Sequence, residues 1–359
     1  MDAQHSTPGI PSRPESSGGR WADATRPSRK DPFARRVIGA WRSNTGGSAV
    51  RDADRGTLVA CSGGADSTAL AAAFASVNAP IVIAHVRHDL REPSESAADE
   101  AQAERLAEWL GRPFARASIR TAAMPGNAEA NARRARYREL TRIAEGRGLG
   151  AVVTGHHADD QLETLLMRLL RGAGPKGMAG IRAARRLAEG ITLVRPMLSV
   201  PHADAVDFLS RHGIGWVEDR TNQDVTRLRA ALRAEVLPSL RRLQPAASRK
   251  ANQAAISLAE SADAVDAMVS EMPRLTDDPA SWSTPVLAQQ PAVVIAECLR
   301  REAVRIGNPT RRQTPTESEV RVAVRVIRSV PASAWCAPLG AALVRVTAAS
   351  TAIESPGIG

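Results

Sequence analysis

The stretch C-S-G-G-A-D-S-T-A-L, Cys61 to Leu70, decides the fold. It follows the apolar run T-L-V-A at Thr57 to Ala60 and opens an alanine-rich segment with helical spacing. The chain therefore passes from a short strand through a glycine turn into a helix. Gly63 and Gly64 are expected to turn with positive φ and let an anion come close, and Ser62, Ser67 and Thr68 offer hydroxyls beside a helix N-terminus. A Walker A loop would carry a lysine that reaches the terminal phosphates, and none stands here. Asp66 sits instead where phosphates would crowd it, which is repulsive unless a divalent cation lies between them. The loop suits a magnesium pyrophosphate; the plain alternative is a glycine turn with Asp66 capping its helix.

Working outward, strand-like and helix-like runs alternate. I-V-I-A-H-V at Ile81 to Val86 precedes a helix over Ser94 to Leu110, and a strand at Phe114 to Ile119 precedes a long helix over Asn127 to Gly146. A-V-V-T-G at Ala151 to Gly155 then leads into a helix through Arg171. Such alternation predicts an α/β fold, a doubly wound, mostly parallel sheet with ligands at the carboxyl ends of its strands. Residues 1–50, rich in Ser, Pro, Gly and Arg and without an apolar leader core, read as a disordered tail, with one short amphipathic turn around Phe33 to Trp41. Residues 51–220 read as the catalytic domain, and 221–350 as a smaller, mainly helical C-terminal domain whose end, A-A-L-V-R-V-T-A, forms a short strand.

The chain has 359 residues, 43% of them apolar, enough for a sizeable core, and no apolar run approaches the roughly eighteen residues that cross a bilayer. Of its 48 basic residues only Lys30, Lys176 and Lys250 are lysines. The formal charge of +10 favours polyanionic partners, and the arginine excess reads either as coding bias or as guanidinium forks for phosphates. Cys61, Cys298 and Cys336 stand far apart with no C-x-x-C, which disfavours a disulfide framework or an iron-sulfur or zinc site and points to a reducing cytoplasm.

S-G-G-A-D-S resembles the loop of the ATP pyrophosphatases, the PP-loop superfamily, which cleave ATP between its α and β phosphates. Later stretches are similar to the tRNA(Ile)-lysidine synthetase family. H-V-R-H-D-L-R at His85 to Arg91 matches with Arg87 where that family has Asn, and E-A-N-A-R-R-A-R-Y at Glu129 to Tyr137 resembles its A-R-x-x-R-Y signature. G-H-H-A-D-D-Q-L-E-T at Gly155 to Thr164 fits at every fixed position. R-G-A-G at Arg171 to Gly174, R-P-M-L at Arg195 to Leu198, and E-D-R-T-N running on to R-A-A-L-R-A-E-V-L-P at Pro238 follow in the family's order. The resemblance is good over Thr57 to Pro238 and weak beyond.

It implies that ATP, bound by Ser62, Gly63, Gly64, Ala65, Asp66 and Ser67, adenylates the wobble cytidine of the CAU anticodon of tRNA(Ile). L-lysine then displaces AMP to give lysidine, changing codon reading from AUG to AUA, with pyrophosphate as the other product. On the helix after His156, Asp160 and Glu163 share a face, as do Asp159 and Glu163. Asp160 and Glu163 are expected to position lysine, and Asp66 or Asp159 to hold Mg2+. A solvated acidic first turn is the plain alternative. Arg133 and Arg136, i,i+3 on the Tyr137 helix, are candidates for the α-phosphate or the lysine carboxylate; ordinary surface arginine is theirs. His156 and His157 read as phosphate binders or proton carriers rather than zinc ligands, having no third ligand at a sensible spacing.

Around Arg227, Arg229, Arg233, Arg241, Arg242, Arg249 and Lys250 the acids thin to Glu235, which predicts an RNA-gripping face. No membrane association is expected, and a homodimer is compatible with the sequence. The rival readings are another PP-loop enzyme, such as a tRNA thiolase or an amide-forming ligase, and a non-enzymatic RNA-binding protein.

Overall fold

The computed structural model describes residues 24–89, 92–121, 124–217, 228–275, 280–307 and 314–355. The chain forms two compact units, residues 1–171 with 180–255 and residues 172–179 with 256–359. The division falls after residue 255, inside a long helix, and not at the expected 220.

The first unit is built on a six-stranded sheet in the order β3-β2-β1-β4-β6-β5, from β1 (Thr57–Ala60), β2 (Ile81–His88), β3 (Phe114–Ile119), β4 (Ala151–Val153), β5 (Ala184–Ala188) and β6 (Ile191–Val194). All neighbours are parallel except β5, which runs antiparallel at the edge. Successive side chains alternate between two buried faces, which is why the strands read as unbroken apolar runs. Leu58, Val82, Val152 and Leu193 meet Tyr137, Leu140 and Ile143 of α4 (Ala128–Gly146). Val59, Ile83, Val153 and Val194 face the other way, into a core shared with helices that include α2 (Ala65–Ala73), α3 (Pro93–Leu110) and α7 (His202–Arg211). The sheet is thus wound from β1 toward β2 and β3 on one side and toward β4 on the other. The reversal places the end of β1 beside the end of β4 at a topological switch point.

The expected tail is corrected where it is described. Residues 32–43 form α1 (Pro32–Ser43), and Phe33, Val37 and Trp41 are buried in the main core. Phe33 stacks on Phe208 at 4.4 Å, Trp41 meets Phe74 edge-on at 5.2 Å, and the Trp41 indole N–H donates to Thr57 Oγ1 at 3.1 Å. A fully buried aromatic ring of this kind contributes about 2–3 kcal/mol. A polar, arginine-rich stretch that places Phe33, Val37 and Trp41 one turn apart on a single face has the composition of a tail but the periodicity of a buried helix. Residues 1–23 lie outside the described set.

Four more helices complete this unit's working side: α5 (Ala158–Leu170), the short α8 (Leu228–Ala231), α9 (Leu237–Leu243) and the first part of α10 (Ala247–Glu271). Between α8 and α9 the chain makes a π turn at Leu232–Val236. Pro238, with no N–H to give the carbonyl four residues back, follows directly. Leu162 of α5 closes on Leu232 and Leu237, with Leu240 and Ala251 packed alongside.

The second unit holds α6 (Pro175–Met178), the rest of α10, β7 (Ser281–Ser283), α11 (Thr284–Ala288), α12 (Ala292–Ile306), α13 (Glu317–Ser329), β8 (Trp335–Leu339), β9 (Ala342–Val346) and β10 (Ser350–Glu354). Its helices cover an antiparallel sheet ordered β7-β10-β9-β8, with Trp282, Ile295, Leu299, Ile327 and Val344 in the core. Of these strands β9 is legible in the sequence; β7 has three residues, and the alternation of β8 and β10 is broken by Pro338 and by Ser and Thr.

Candidate active site

Ser67 organises the turn after β1. Its hydroxyl accepts from the Ser62 N–H at 3.0 Å, donates to the Gly64 carbonyl at 3.0 Å and lies 3.1 Å from the Ser62 hydroxyl. Gly63 has φ +87°, and a Cβ there would meet the Asp99 carbonyl oxygen at 3.1 Å. Gly64 is extended at φ −74°, so positive φ is confined to Gly63. Gly64 caps α2 without a side chain, which leaves the first-turn N–H groups to an external acceptor. An anion fits there. The end of β4 presses on the same turn, since a Cβ at Gly155 would meet the Asp66 carbonyl and the Ser67 nitrogen at 3.1 Å.

Asp66 points from the first turn of α2 toward two imidazoles. Its Oδ1 is 2.8 Å from His202 Nδ1 and its Oδ2 is 3.5 Å from His157 Nε2. The hydrogen bond to Asp66 raises the His202 pKa against the opposing effect of burial. His157 heads α5 in a reciprocal cap: its Nδ1 accepts from the Asp160 N–H at 3.4 Å, and Asp160 accepts from the His157 N–H at 3.1 Å.

The three carboxylates of α5 have different fates. Asp159, buried, accepts from the Ser248 hydroxyl, from the His202 backbone N–H at 2.8 Å and pairs with Arg241 at 2.8 Å. These bonds outweigh its burial and hold its pKa low. Its oxygens tie α7, α9 and α10 to α5. Asp160 lines the cleft and takes Arg233 at 3.1 Å. Burial pushes its carboxyl up, but His157, which also gives it a backbone N–H, and Arg233 hold it below its ordinary value. Glu163, only 1% exposed, pairs with Arg233 at 2.5 Å and with Arg229 at 3.2 Å. Burial raises its pKa despite both arginines.

This arrangement corrects the basic stretch. Arg229, Arg233 and Arg241, expected on an RNA-facing surface, are paired with Glu163, Asp160 and Asp159. Arg242, Arg249 and Lys250 are exposed. Arg227 and the E-D-R-T-N stretch lie outside the described residues, as do Leu90 and Arg91 of the second motif.

Across the cleft, which has a volume of about 650 Å³, stand Arg133, Arg136 and Tyr137 of α4 and His156 at the end of β4. Arg133 lies over the Tyr137 ring at 5.2 Å and approaches His156 Nε2 at 3.3 Å, while Thr154 Oγ1 lies 2.9 Å from His156 Nδ1. Burial lowers the His156 pKa to about 3, so the ring is neutral, accepts from Arg133 and is a poor proton acceptor from substrate. His85 donates through Nδ1 to the Cys61 carbonyl at 2.8 Å, fixing β2 against the loop. Arg87, the departure from the family pattern, lines the cleft and pairs with Glu100 at 3.6 Å.

The cleft thus joins Ser62, Gly64, Asp66, Ser67, Arg133, Arg136 and Asp160 from the expected set, and leaves Asp159 and Glu163 behind its wall. Sequence reasoning missed His202, Ser248, Asp99 and Thr154. His202 carries no local motif; only the sheet's crossover brings it to Asp66.

The PP-loop domain family matches residues 42–240. A curated tRNA(Ile)-lysidine synthase of Salinispora tropica is 46% identical over 200 residues, covering 53% of this chain and 58% of that protein. One from Geobacter sulfurreducens is 36% identical over 259 residues, covering 70% and 52%. A third, from Methylobacterium sp. strain 4-46, is 39% identical over 250 residues, covering 67% of this chain and 70% of its own. The chain therefore spans little more than half the length of the first two. Among solved structures, the U34-tRNA thiolase NcsA from Methanococcus maripaludis with its 4Fe-4S cluster superposes with a TM-score of 0.52 at 14% identity, covering 64% of this chain and 81% of that one. That likeness is one of fold.

Proposed function

The chain belongs to the PP-loop family and, within it, to the tRNA(Ile)-lysidine synthases, and from that premise we propose that it ligates L-lysine to C2 of the wobble cytidine in the CAU anticodon of tRNA(Ile). The observation that carries this reading is a cleft holding an anion cradle at Ser62–Ser67 with Asp66, two arginines on the facing helix, and the Asp160 carboxylate beside them. The C2 carbonyl oxygen of cytidine is a poor leaving group until ATP adenylates it. Attack of that oxygen on the α-phosphorus forms the new P–O bond and releases pyrophosphate, whose charge the first turn of α2 and the loop hydroxyls accept. The ε-amine of lysine then attacks C2 and AMP departs.

Asp160, held ionised, suits the lysine ammonium, and Arg133 and Arg136 suit the α-phosphate. Glu163 acts one layer back: it fixes Arg229 and Arg233, which bring guanidinium groups to the lysine end of the cleft. Asp66 would hold Mg2+, an ion satisfied by one carboxylate together with phosphate oxygens and water, and which offsets charge on the departing pyrophosphate. Exposed Arg242, Arg249 and Lys250 are the surface we assign to RNA phosphates, with binding that weakens steeply with salt. A thiolase reading finds no support in Cys61, the single cysteine of this unit, which is buried with its thiol pushed up by that burial.

The test is incubation with ATP, Mg2+, labelled lysine and an isoleucine tRNA bearing CAU. Label in RNA with matching AMP and pyrophosphate is expected. Asp160→Asn should reduce lysine-dependent turnover tenfold to a hundredfold, the worth of one charge-assisted bond of about 1.5–3 kcal/mol. ADP as product, or AMP release without lysine incorporation, would refute the assignment.

A further inference from the structure

We propose that Asp66, His157 and His202 form a binding site for a divalent transition-metal ion of the borderline class, such as Co2+, Ni2+ or Zn2+, held by one carboxylate and two imidazoles. The three residues come from the start of α2, the start of α5 and the start of α7, and their ligand atoms all lie within 4.8 Å of one another. The two rings stand 5.4 Å apart, centroid to centroid. Four-coordinate zinc with bonds of about 2.0–2.1 Å needs ligand atoms some 3.3 Å apart, so closure by up to about 1.5 Å completes the set. His202, with 46% of its side chain exposed, has room to make it.

The surroundings match a metal centre's outer support. Asp159 touches both imidazole residues: its Oδ2 accepts the His202 backbone N–H at 2.8 Å and lies 3.7 Å from His157 Nδ1. Coordination through His157 Nε2 moves that ring's proton to Nδ1, where Asp159 is the acceptor, the carboxylate–histidine–metal arrangement that fixes a ligand's tautomer. The weak 3.4 Å bond from the Asp160 N–H is given up in exchange. At His202 the ion replaces the proton now between Nδ1 and Asp66. Without nucleotide, two nitrogen donors favour the borderline ions in rising order toward copper over Mg2+, which takes oxygen; Mg2+ at Asp66 needs the phosphate oxygens of bound ATP, so the two ions are alternative occupants of that carboxylate. Three protein ligands leave open positions, as in sites where substrate completes the shell.

This site does not depend on the lysidine assignment, since it is measured without RNA, lysine or nucleotide. Titrating the full, untagged chain with Co2+ should give saturable binding at one equivalent, with the intense visible absorption of a low-coordinate nitrogen-oxygen site. His202→Gln should weaken it at least tenfold, and Asp66→Asn likewise, with both variants retaining the wild-type circular dichroism. Excess Mg2+ should not displace the ion, whereas one equivalent of Zn2+ should. No Co2+ spectrum in the wild-type chain, or one unchanged in both variants, overturns the proposal.

Discussion

The turn at residues 61–67 takes its shape from its own sequence: Ser67 reaches back five residues to Ser62, and Gly63 supplies the one backbone angle the turn demands. The arginines of the segment behind it take theirs from far away, Arg233 bonding Glu163 across 70 residues of chain and Asp160 across 73. Local geometry can be recognised before a fold is known. Long-range pairing cannot, and charge that looks like a solvated RNA-binding face in a one-dimensional reading turns inward to partner buried carboxylates once α8, the π turn and α9 pack against α5.

The contrast breaks most readily at Arg233. Removing it leaves Glu163 and Asp160 short of their partner in a buried setting, a change that costs about 3–5 kcal/mol when both groups are fully enclosed. Arg233 is itself one-third exposed, so Arg233→Ala should cost roughly 2–3 kcal/mol, seen as a lower urea midpoint at unchanged slope. Arg242→Ala, at an exposed position one helix further on, should stay within about 0.5 kcal/mol yet lower the salt dependence of tRNA binding by roughly one phosphate contact. If the two variants behave alike in stability, Arg233 is a surface residue after all and the inward assignment falls.

The adjacent glycines sharpen the other half of the comparison. Gly63→Ala forces a side chain into the left-handed region and against the Asp99 backbone, so a loss of about 1–2 kcal/mol is expected together with weaker ATP binding. Gly64→Ala meets nothing nearer than 3.8 Å and has an ordinary backbone, and should leave the urea midpoint alone. Weaker ATP binding in Gly64→Ala at full stability would show that this glycine exists for the close approach of phosphate; unchanged binding would leave Gly63 as the single glycine the loop needs.

What was legible follows the same division. The strand–turn–helix at Thr57 to Ala73, the order of the next strands, and the convergence of the Asp66 and Asp160 segments all follow from apolar periodicity and from the rule that ligands gather where a parallel sheet reverses. The separate duties of Asp159, Asp160 and Glu163 were hidden because three acids on one helical turn look equivalent until Ser248, Arg241, Arg233 and Arg229 choose among them. Helix α1 was half seen: its amphipathic turn was noticed, but the polar residues on either side concealed that Trp41 fills the core under Thr57. Of the second unit's strands β9 is legible; β7, β8 and β10 are hidden by mixed faces and by the brevity of β7.

Asp31 combines both kinds of bond in one carboxylate and so measures them against each other. Its Oδ1 accepts locally from the Phe33 and Ala34 N–H groups, at 2.8 and 3.1 Å, capping α1. Its Oδ2 accepts from Arg211 at 2.9 Å, on α7 and 180 residues away. Burial pushes this carboxyl up, but the backbone N–H groups, Arg211 and His212 together hold it below its ordinary value. A depressed folded pKa means that the unfolded chain binds the proton first, so the stabilisation is complete above the unfolded value near 4 and disappears as pH falls through the lower folded one. Asp31→Asn keeps the cap oxygen but loses the ion pair, and with Arg211 half exposed the cost at pH 7 should be about 0.5–1 kcal/mol. Asp31→Ala loses the cap as well and should cost about 1 kcal/mol more. Both variants should flatten the stability profile below pH 4 relative to the wild-type chain. If Asp31→Asn matches Asp31→Ala, the distant partner dominates and the cap is incidental; if it matches wild type with the acid slope intact, the Arg211 bond contributes nothing, and long-range pairing here is confined to the arginines that meet the buried carboxylates of the site.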